Sequence, residues 1–280
     1  MKKTDILPPR SLFLSIVVVG VFCMLLCPVR TQAVKNPAGM VLIPAGFFIP
    51  LYSPSDTDSK NLIKPKEIPV TSFYLDALPV TNEDYLEFVK KKPGWQKHKV
   101  PLIFTDHSYL KHWKADTETG SMVPGLSPVV NVSWFAAKAY CTWQNKRLPT
   151  VSEWEYVAQA DELTADASRD PKFLNRILQW YGESGQKVMP KVGSAFRNRY
   201  GVYDMHGLIW EWTLDFNTAL VTGESRGDSA LERSLYCGSG SIGASSFRDY
   251  AAFMRYGFRS SLKADYVTSR LGFRCAQSLE

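Results

Sequence analysis

The sequence predicts a single α+β domain. Two or three amphipathic helical segments cluster in the first half. The second half is interrupted repeatedly by Gly and Pro and carries only short β-like stretches, and no internal repeat runs through the chain. This distribution argues against a doubly wound sheet, which requires strands and helices in alternation.

In chain order, residues 1–33 read as an export signal. Lys2, Lys3 and Arg10 form a basic start, Ser11 to Cys27 is an apolar run without a charge, and Thr31 and Ala33 supply small residues for cleavage after Ala33. The alternative is an uncleaved anchor, since 17 residues is the lower edge of a spanning helix. A lipid-modified Cys27 fits poorly, because Leu26 precedes it where a small residue is wanted and Pro28 follows. Residues 34–280 then form the folded domain, and Val34 to Ala38 is its linker. Met40 to Ile43 and Phe47 to Ile49 are two short strands parted by a Pro-Ala-Gly turn, and Ser53 to Lys60 is a polar surface loop.

Thr81 caps a first helix in which Tyr85, Phe88 and Val89 fall on one face, with Asp84 in its first turn. Lys90 to Gly125 shows no sustained periodicity, holds His98, His107 and His112 among many charges, and reads as a long surface excursion. Ser133 caps a second helix through Ala136, Ala137, Tyr140 and Cys141. Thr150 and Glu153 form a capping box that opens a third through Trp154 and Val157. Beyond Leu163 only Asp170 to Gln179 is expected to be helical.

Removing residues 1–33 leaves 29 basic against 26 acidic side chains, a net charge of +3 in place of +6. So small an excess implies neither a nucleic-acid partner nor a membrane-surface partner, and membrane contact is expected only through the signal segment. The remaining cysteines are Cys141, Cys237 and Cys275. An odd number in an oxidising compartment allows at most one bridge and leaves one thiol over.

Pro128 to Trp134, Arg147 to Tyr156, Tyr200 to Thr213 and Leu271 to Ala276 together resemble the formylglycine-generating-enzyme, or sulfatase-modifying-factor, family, in order from Met40 to about Ala276. The resemblance implies a loop-rich α+β fold related to C-type lectins and a Cys141–Cys275 bridge. Closing so long a loop would contribute roughly 5 kcal/mol in the chain-entropy model. It also implies a calcium site at His206, Gly207, Ile209 and the Glu211 carboxylate, since carbonyl and carboxylate oxygens suit that ion. The residues themselves leave another reading open, with Trp210 and Trp212 as core aromatics and Glu211 as a buried acid paired to an arginine. A lone histidine such as His206 beside a glycine is ordinarily a hydrogen-bonded turn residue. The family's first calcium site is not carried over, because the region between Leu174 and Val192 is shortened.

Catalytic members of that family hold Cu(I) with two cysteines after a Gly-Gly-Ser turn, soft thiolates suiting a soft ion. The matching turn here is Cys237-Gly-Ser239, and no cysteine lies between Cys237 and Cys275. Copper is therefore not expected at that site, and formylglycine formation is not carried over. Cys237 is either a reactive thiol or a small buried hydrophobe. By the same resemblance Ser239, Arg259 and Ser260 line the cleft, the last two able to bind a carboxylate or peptide carbonyl. The alternative is an Arg259 paired to Glu211 or Asp215 in the core. The His98, His107 and His112 group has poor ligand spacing for a metal.

The sequence looks most like the branch of the family that lacks the copper cysteines, which includes accessory proteins of copper nitrite reductase and of pyoverdine maturation. The expected function is that of a periplasmic or secreted maturation factor that binds, and in one version oxidises, a protein or peptide-derived substrate. The competing expectation is a non-catalytic lectin-like binding module.

Overall fold

The computed structural model describes residues 36–49, 67–183, 188–217 and 247–279. The expected signal segment, the Ser53 to Lys60 loop, Cys237 and Ser239 lie outside them. The described residues build an α+β domain, as expected. Strands β1 (Met40–Ile43) and β2 (Gly46–Phe48) are followed by β3 (Ile68–Val70) and β4 (Phe73–Asp76). β4 is the centre of a three-stranded antiparallel sheet, flanked by β1 and by the C-terminal strand β7 (Ala276–Ser278), with Ile43 opposite Phe73 and Leu75 opposite Ala276. β2 and β3 pair antiparallel as a separate ribbon.

The three caps read from sequence are in place. Helix α1 (Asn82–Lys91) starts at Thr81, whose hydroxyl accepts from the Asp84 amide while the Asp84 carboxylate accepts from the Thr81 amide. Helix α2 (Trp134–Trp143) is capped by Ser133, and α3 (Val151–Ala158) by the reciprocal Thr150 and Glu153 box. Such reciprocal caps satisfy amides that the first helical turn leaves without partners. Tyr85 and Phe88 of α1 and Tyr140 of α2 then pack with Phe273 into an aromatic core, with ring centroids 5.3–6.2 Å apart.

Cys141 of α2 is joined to Cys275, 134 residues later, with their Cα atoms 5.6 Å apart. The bridge holds the chain end against the core, and reciprocal backbone bonds between Arg147 and Ala276 do the same beside it.

Two expectations fail. Of the Lys90 to Gly125 segment, Lys90 and Lys91 end α1 and the rest contains no helix beyond one 3-10 turn at Pro93–Trp95, yet it is not simply a surface excursion. Tyr109, Leu110 and Trp113 are buried in the core, where the Tyr109 and Tyr85 hydroxyls lie 2.7 Å apart and the Trp113 indole donates to Asn82 Oδ1 at 3.0 Å. Isolated anchors at irregular spacing leave no period to detect.

The second half also holds more helix than expected. Helix α4 (Pro171–Gly182) fits the Asp170 to Gln179 reading, but α5 (Phe247–Ser260), the longest described helix, was not expected. Its inward face carries Arg255 and Arg259 beside Ala251, Ala252 and Tyr256; the helix is as amphipathic as α4, so its periodicity was present in the sequence and was overlooked.

Candidate functional site

Strand β5 (Trp210–Glu211) pairs parallel with β6 (Leu271–Gly272), setting Glu211 opposite Gly272. A Cβ on Gly272 would stand 2.3 Å from the Val129 carbonyl oxygen, so only glycine allows this approach. Two residues on, Arg274 Nε and Nη2 donate to the two Glu211 oxygens at 2.8 and 2.7 Å, and both side chains are 0% exposed. The Trp154 indole donates to the same carboxylate at 2.9 Å. Arg274 also reaches the carbonyls of Asp76, Ala77 and Tyr203. This is a buried ion pair with its remaining hydrogen-bond capacity satisfied, the condition under which burial of two charges is tolerated.

That arrangement bears on the calcium site implied at His206, Gly207, Ile209 and Glu211 through its one carboxylate. The one carboxylate in the set is already neutralised by a guanidinium, which a calcium ion would have to displace or adjoin. The His206 ring donates through Nε2 to the Ala158 carbonyl at 2.9 Å and packs edge-on against Trp154 and Phe173. Ile209 is a buried apolar residue, and Gly207 makes a turn at φ +101°.

Arg259 is also committed elsewhere. Glu155 of α3 is buried and accepts from Arg255 at 2.9–3.0 Å and from Arg259 at 2.5 Å, while the Arg259 guanidinium lies 4.8 Å from the Trp154 ring centre. Burial pushes the Glu155 carboxyl up, but Arg255 and Arg259 together hold it down at about 2. Arg259 is therefore not free for a substrate anion. Its partner is neither Glu211 nor Asp215, whose carboxylate accepts from the Val151 amide at the start of α3. Ser260 bonds back to the Gly257 carbonyl in its own helix. Arg259 thus ties α5 to α3, while the Ser260 hydroxyl is spent within its own helix.

His206 is buried and its pKa is pulled down to about 3, by burial first and then by the Arg255 guanidinium. A histidine held neutral in the fold contributes stability that is fully present above its ordinary value of 6.5 and is lost as pH falls toward 3. The Glu155 carboxylate acts in the same direction from about 4.5 down to 2. We expect roughly 3 kcal/mol of stability to disappear between pH 7 and 4 on account of His206. Denaturant melts at the two pH values will show this, and His206→Gln will flatten the difference. An equal loss in that variant would remove His206 as the cause.

An open cleft of about 420 Å³ lies where the start of α1, the His112 region, residues 127–131 and the turn at Ser269–Arg270 meet. Asn82 on its wall is a scaffold, donating to the carbonyls of Pro124, Ser127 and Pro128 and accepting from Trp113. Asn131 adopts a left-handed φ of 54°, which asparagine tolerates better than most residues. Its backbone is tied to Thr268 and Leu110, and its side chain is only 2% exposed, yet Nδ2 has no partner. Both ring nitrogens of His112 are likewise buried and unpartnered. Burial, with Lys97 and Lys111 nearby, holds its pKa at about 4, so at neutral pH the ring offers one donor and one acceptor. Val123, Val130 and Met189 line the walls, and Arg270 stands at the cleft with one guanidinium nitrogen on the Glu183 carbonyl. Apolar walls with a few convergent polar groups are the general make-up of a ligand cleft.

The family profile described as "Sulfatase-modifying factor enzyme 1-like domain" matches residues 28–279. The chain belongs to this family. It is 30% identical over 292 residues to "Inactive C-alpha-formylglycine-generating enzyme 2" of Mus musculus, covering 91% of each chain. To "Formylglycine-generating enzyme" of the same organism it is 29% identical, over 85% of this chain and 74% of that one. Among solved structures, PvdO from Pseudomonas aeruginosa superposes with a TM-score of 0.45 at 21% identity, over 86% of this chain and 94% of that one.

Within this sulfatase-modifying-factor domain, the residues of the cleft were missed by sequence reasoning. Asn131 sits inside the Pro128 to Trp134 motif, but its left-handed backbone and lone amide have no sequence signature. His112 was grouped with His98 and His107, but its ring nitrogens are buried and without partners. His98 instead pairs with Asp116 at 2.7 Å. The one available signal was Trp113, a large aromatic whose burial draws its neighbour inward.

Proposed function

We propose that this family member is an exported maturation or accessory factor that holds a peptide segment of a client protein, or a peptide-derived substrate, in the Asn131 and His112 cleft, and that it does not generate formylglycine. The observation that carries this reading is the pairing of a buried, unpartnered amide donor with a neutral, unpartnered imidazole on an open cleft. Buried polar groups nearly always have partners, and a turn of the Asn131 amide toward the cleft would let a peptide carbonyl or carboxylate supply the acceptor that Nδ2 lacks. The absence of any cysteine between Cys237 and Cys275 supports the second half of the proposal, because a thiolate pair is what would retain Cu(I). The likeness to relatives named as inactive points the same way.

The test is selection of a random octapeptide library on the immobilised protein. Enrichment is expected on the wild type and on Cys237→Ser. Asn131→Asp retains tolerance for the left-handed backbone but exchanges the donor for an acceptor, and should weaken binding about tenfold. Equal enrichment on Asn131→Asp would refute the cleft assignment. In parallel, a Cys-x-Pro-x-Arg peptide supplied with Cu(I) and oxygen should show no conversion above a no-protein control. Conversion would overturn the second half of the proposal.

A further inference from the structure

We infer that the face formed by the Pro101–Phe104 turn and the aromatic groove beside it is a contact surface for an anionic lipid bilayer. The turn closes through the Phe104 amide on the Pro101 carbonyl at 2.9 Å, so Leu102 and Ile103 are its two central residues. Those positions normally carry Gly, Asn, Asp or Ser, because they project furthest into water. Here they are 58% and 75% exposed large aliphatics. Isolated exposed apolar residues are ordinary, but these adjoin a continuous apolar surface.

Phe104 contacts Trp95 and Phe135, with centroids 5.9 and 5.4 Å apart, and the series continues through Phe135 to Trp134 and through Phe88 to Trp143. Phe88, Trp95, Phe104, Phe135 and Trp143 bound an open groove of about 680 Å³. Lys92 and Lys138 line it, the Lys138 ammonium 4.8 Å from the Trp134 ring centre. Residues 90–99 carry five lysines and no acid, immediately before the turn.

An apolar tip, a belt of Trp and Phe, and a surround of flexible lysines are the components that seat a protein at the level of lipid headgroups. The aliphatics enter the acyl boundary, the aromatics occupy the interface, and the ammonium groups meet the anionic surface. The modest net charge of the chain implied no membrane-surface partner. Net charge does not report clustering: Lys92 and Lys138 both line the groove beside the turn, and the run of lysines at 90–99 leads into it without an intervening acid.

All eight tryptophans lie between Trp95 and Trp212, so tryptophan fluorescence follows the folded domain and ignores the apolar N-terminal run. The full chain is mixed with phosphatidylcholine vesicles, with or without phosphatidylglycerol, carrying brominated acyl chains as quenchers. Quenching is expected only with phosphatidylglycerol present, should weaken as salt is raised, and should need at least about tenfold more lipid in Leu102→Asp/Ile103→Asp at an unchanged thermal midpoint. Lys92→Glu/Lys138→Glu should shift the isotherm in the same direction. No quenching, equal quenching by neutral vesicles, or wild-type behaviour of the Leu102/Ile103 variant would each overturn the inference. Saturation of the face by polyglutamate without any vesicle quenching would assign it to an acidic protein partner instead, and would equally overturn it.

Discussion

Arg274→Met will destabilise the domain by about 3–5 kcal/mol, because it leaves the Glu211 carboxylate buried without its counter-charge. For a domain of this size that corresponds to a fall in thermal midpoint of roughly 10 °C. The loss is larger than the worth of the pair itself, since desolvation of the surviving charge is no longer offset. Adding Glu211→Leu to Arg274→Met should recover only part of the loss, because the Trp154 indole loses its acceptor and the carbonyls of Asp76 and Tyr203 lose the guanidinium donor. The same measurements decide between the ion pair and a calcium ion at Glu211. EDTA should leave the wild-type midpoint where it is. A large effect of chelator together with a mild effect of Arg274→Met would show that the carboxylate serves a metal.

Breaking the Cys141–Cys275 bridge is the second large effect. The two residues are 134 apart, so reduction releases a long loop in the unfolded chain, and removal of a native disulfide commonly costs about 2–5 kcal/mol. Cys275→Ser should approach the upper end. It sits between Arg274 and the start of β7, and its amide donates to the Asp76 carboxylate at 2.9 Å, so freeing the chain end disturbs the ion pair as well. Asp76 is raised by burial and pulled back by Lys146, whose ammonium lies 2.6 Å away, which adds a further pair dependent on this corner. Denaturant melts of the oxidised protein, the reduced protein and Cys275→Ser will test this. Equal midpoints in all three would mean that packing of Phe273 and Ala276 alone retains the C-terminus.

The helix starts were legible because their causes are local. Thr81, Ser133 and Thr150 cap through atoms three residues away, and the apolar residues following them repeat at helical spacing. Helix α5 was overlooked although its apolar residues repeat at helical spacing; what the sequence could not show is that Arg255 and Arg259 on that face meet Glu155, about a hundred residues earlier in the chain. The same holds for Arg259. As a residue in a motif it looked like a free guanidinium in a cleft, and only the position of α3 shows that its charge is already matched.

Glu211 was read in two ways, and the choice between them depended on which cation stood beside it. That cation is Arg274, brought there by the parallel pairing of β5 with β6. The cleft is the extreme case, because Asn131 and His112 are ordinary in their own segments. They become notable only when Thr268 and Leu110 fix the Asn131 backbone and Trp113 is drawn into the core.

By itself the sequence determined the α+β class, the family, the three capped helices and the lack of a second cysteine near Cys237. Each is written in residue type or in spacing of a few positions, the range over which backbone hydrogen bonds and side-chain periodicity act. Only the tertiary structure decided which charges neutralise one another and which polar atoms are left over. Both depend on distances between residues remote in sequence, and a buried group's role is set by the partner that folding brings to it.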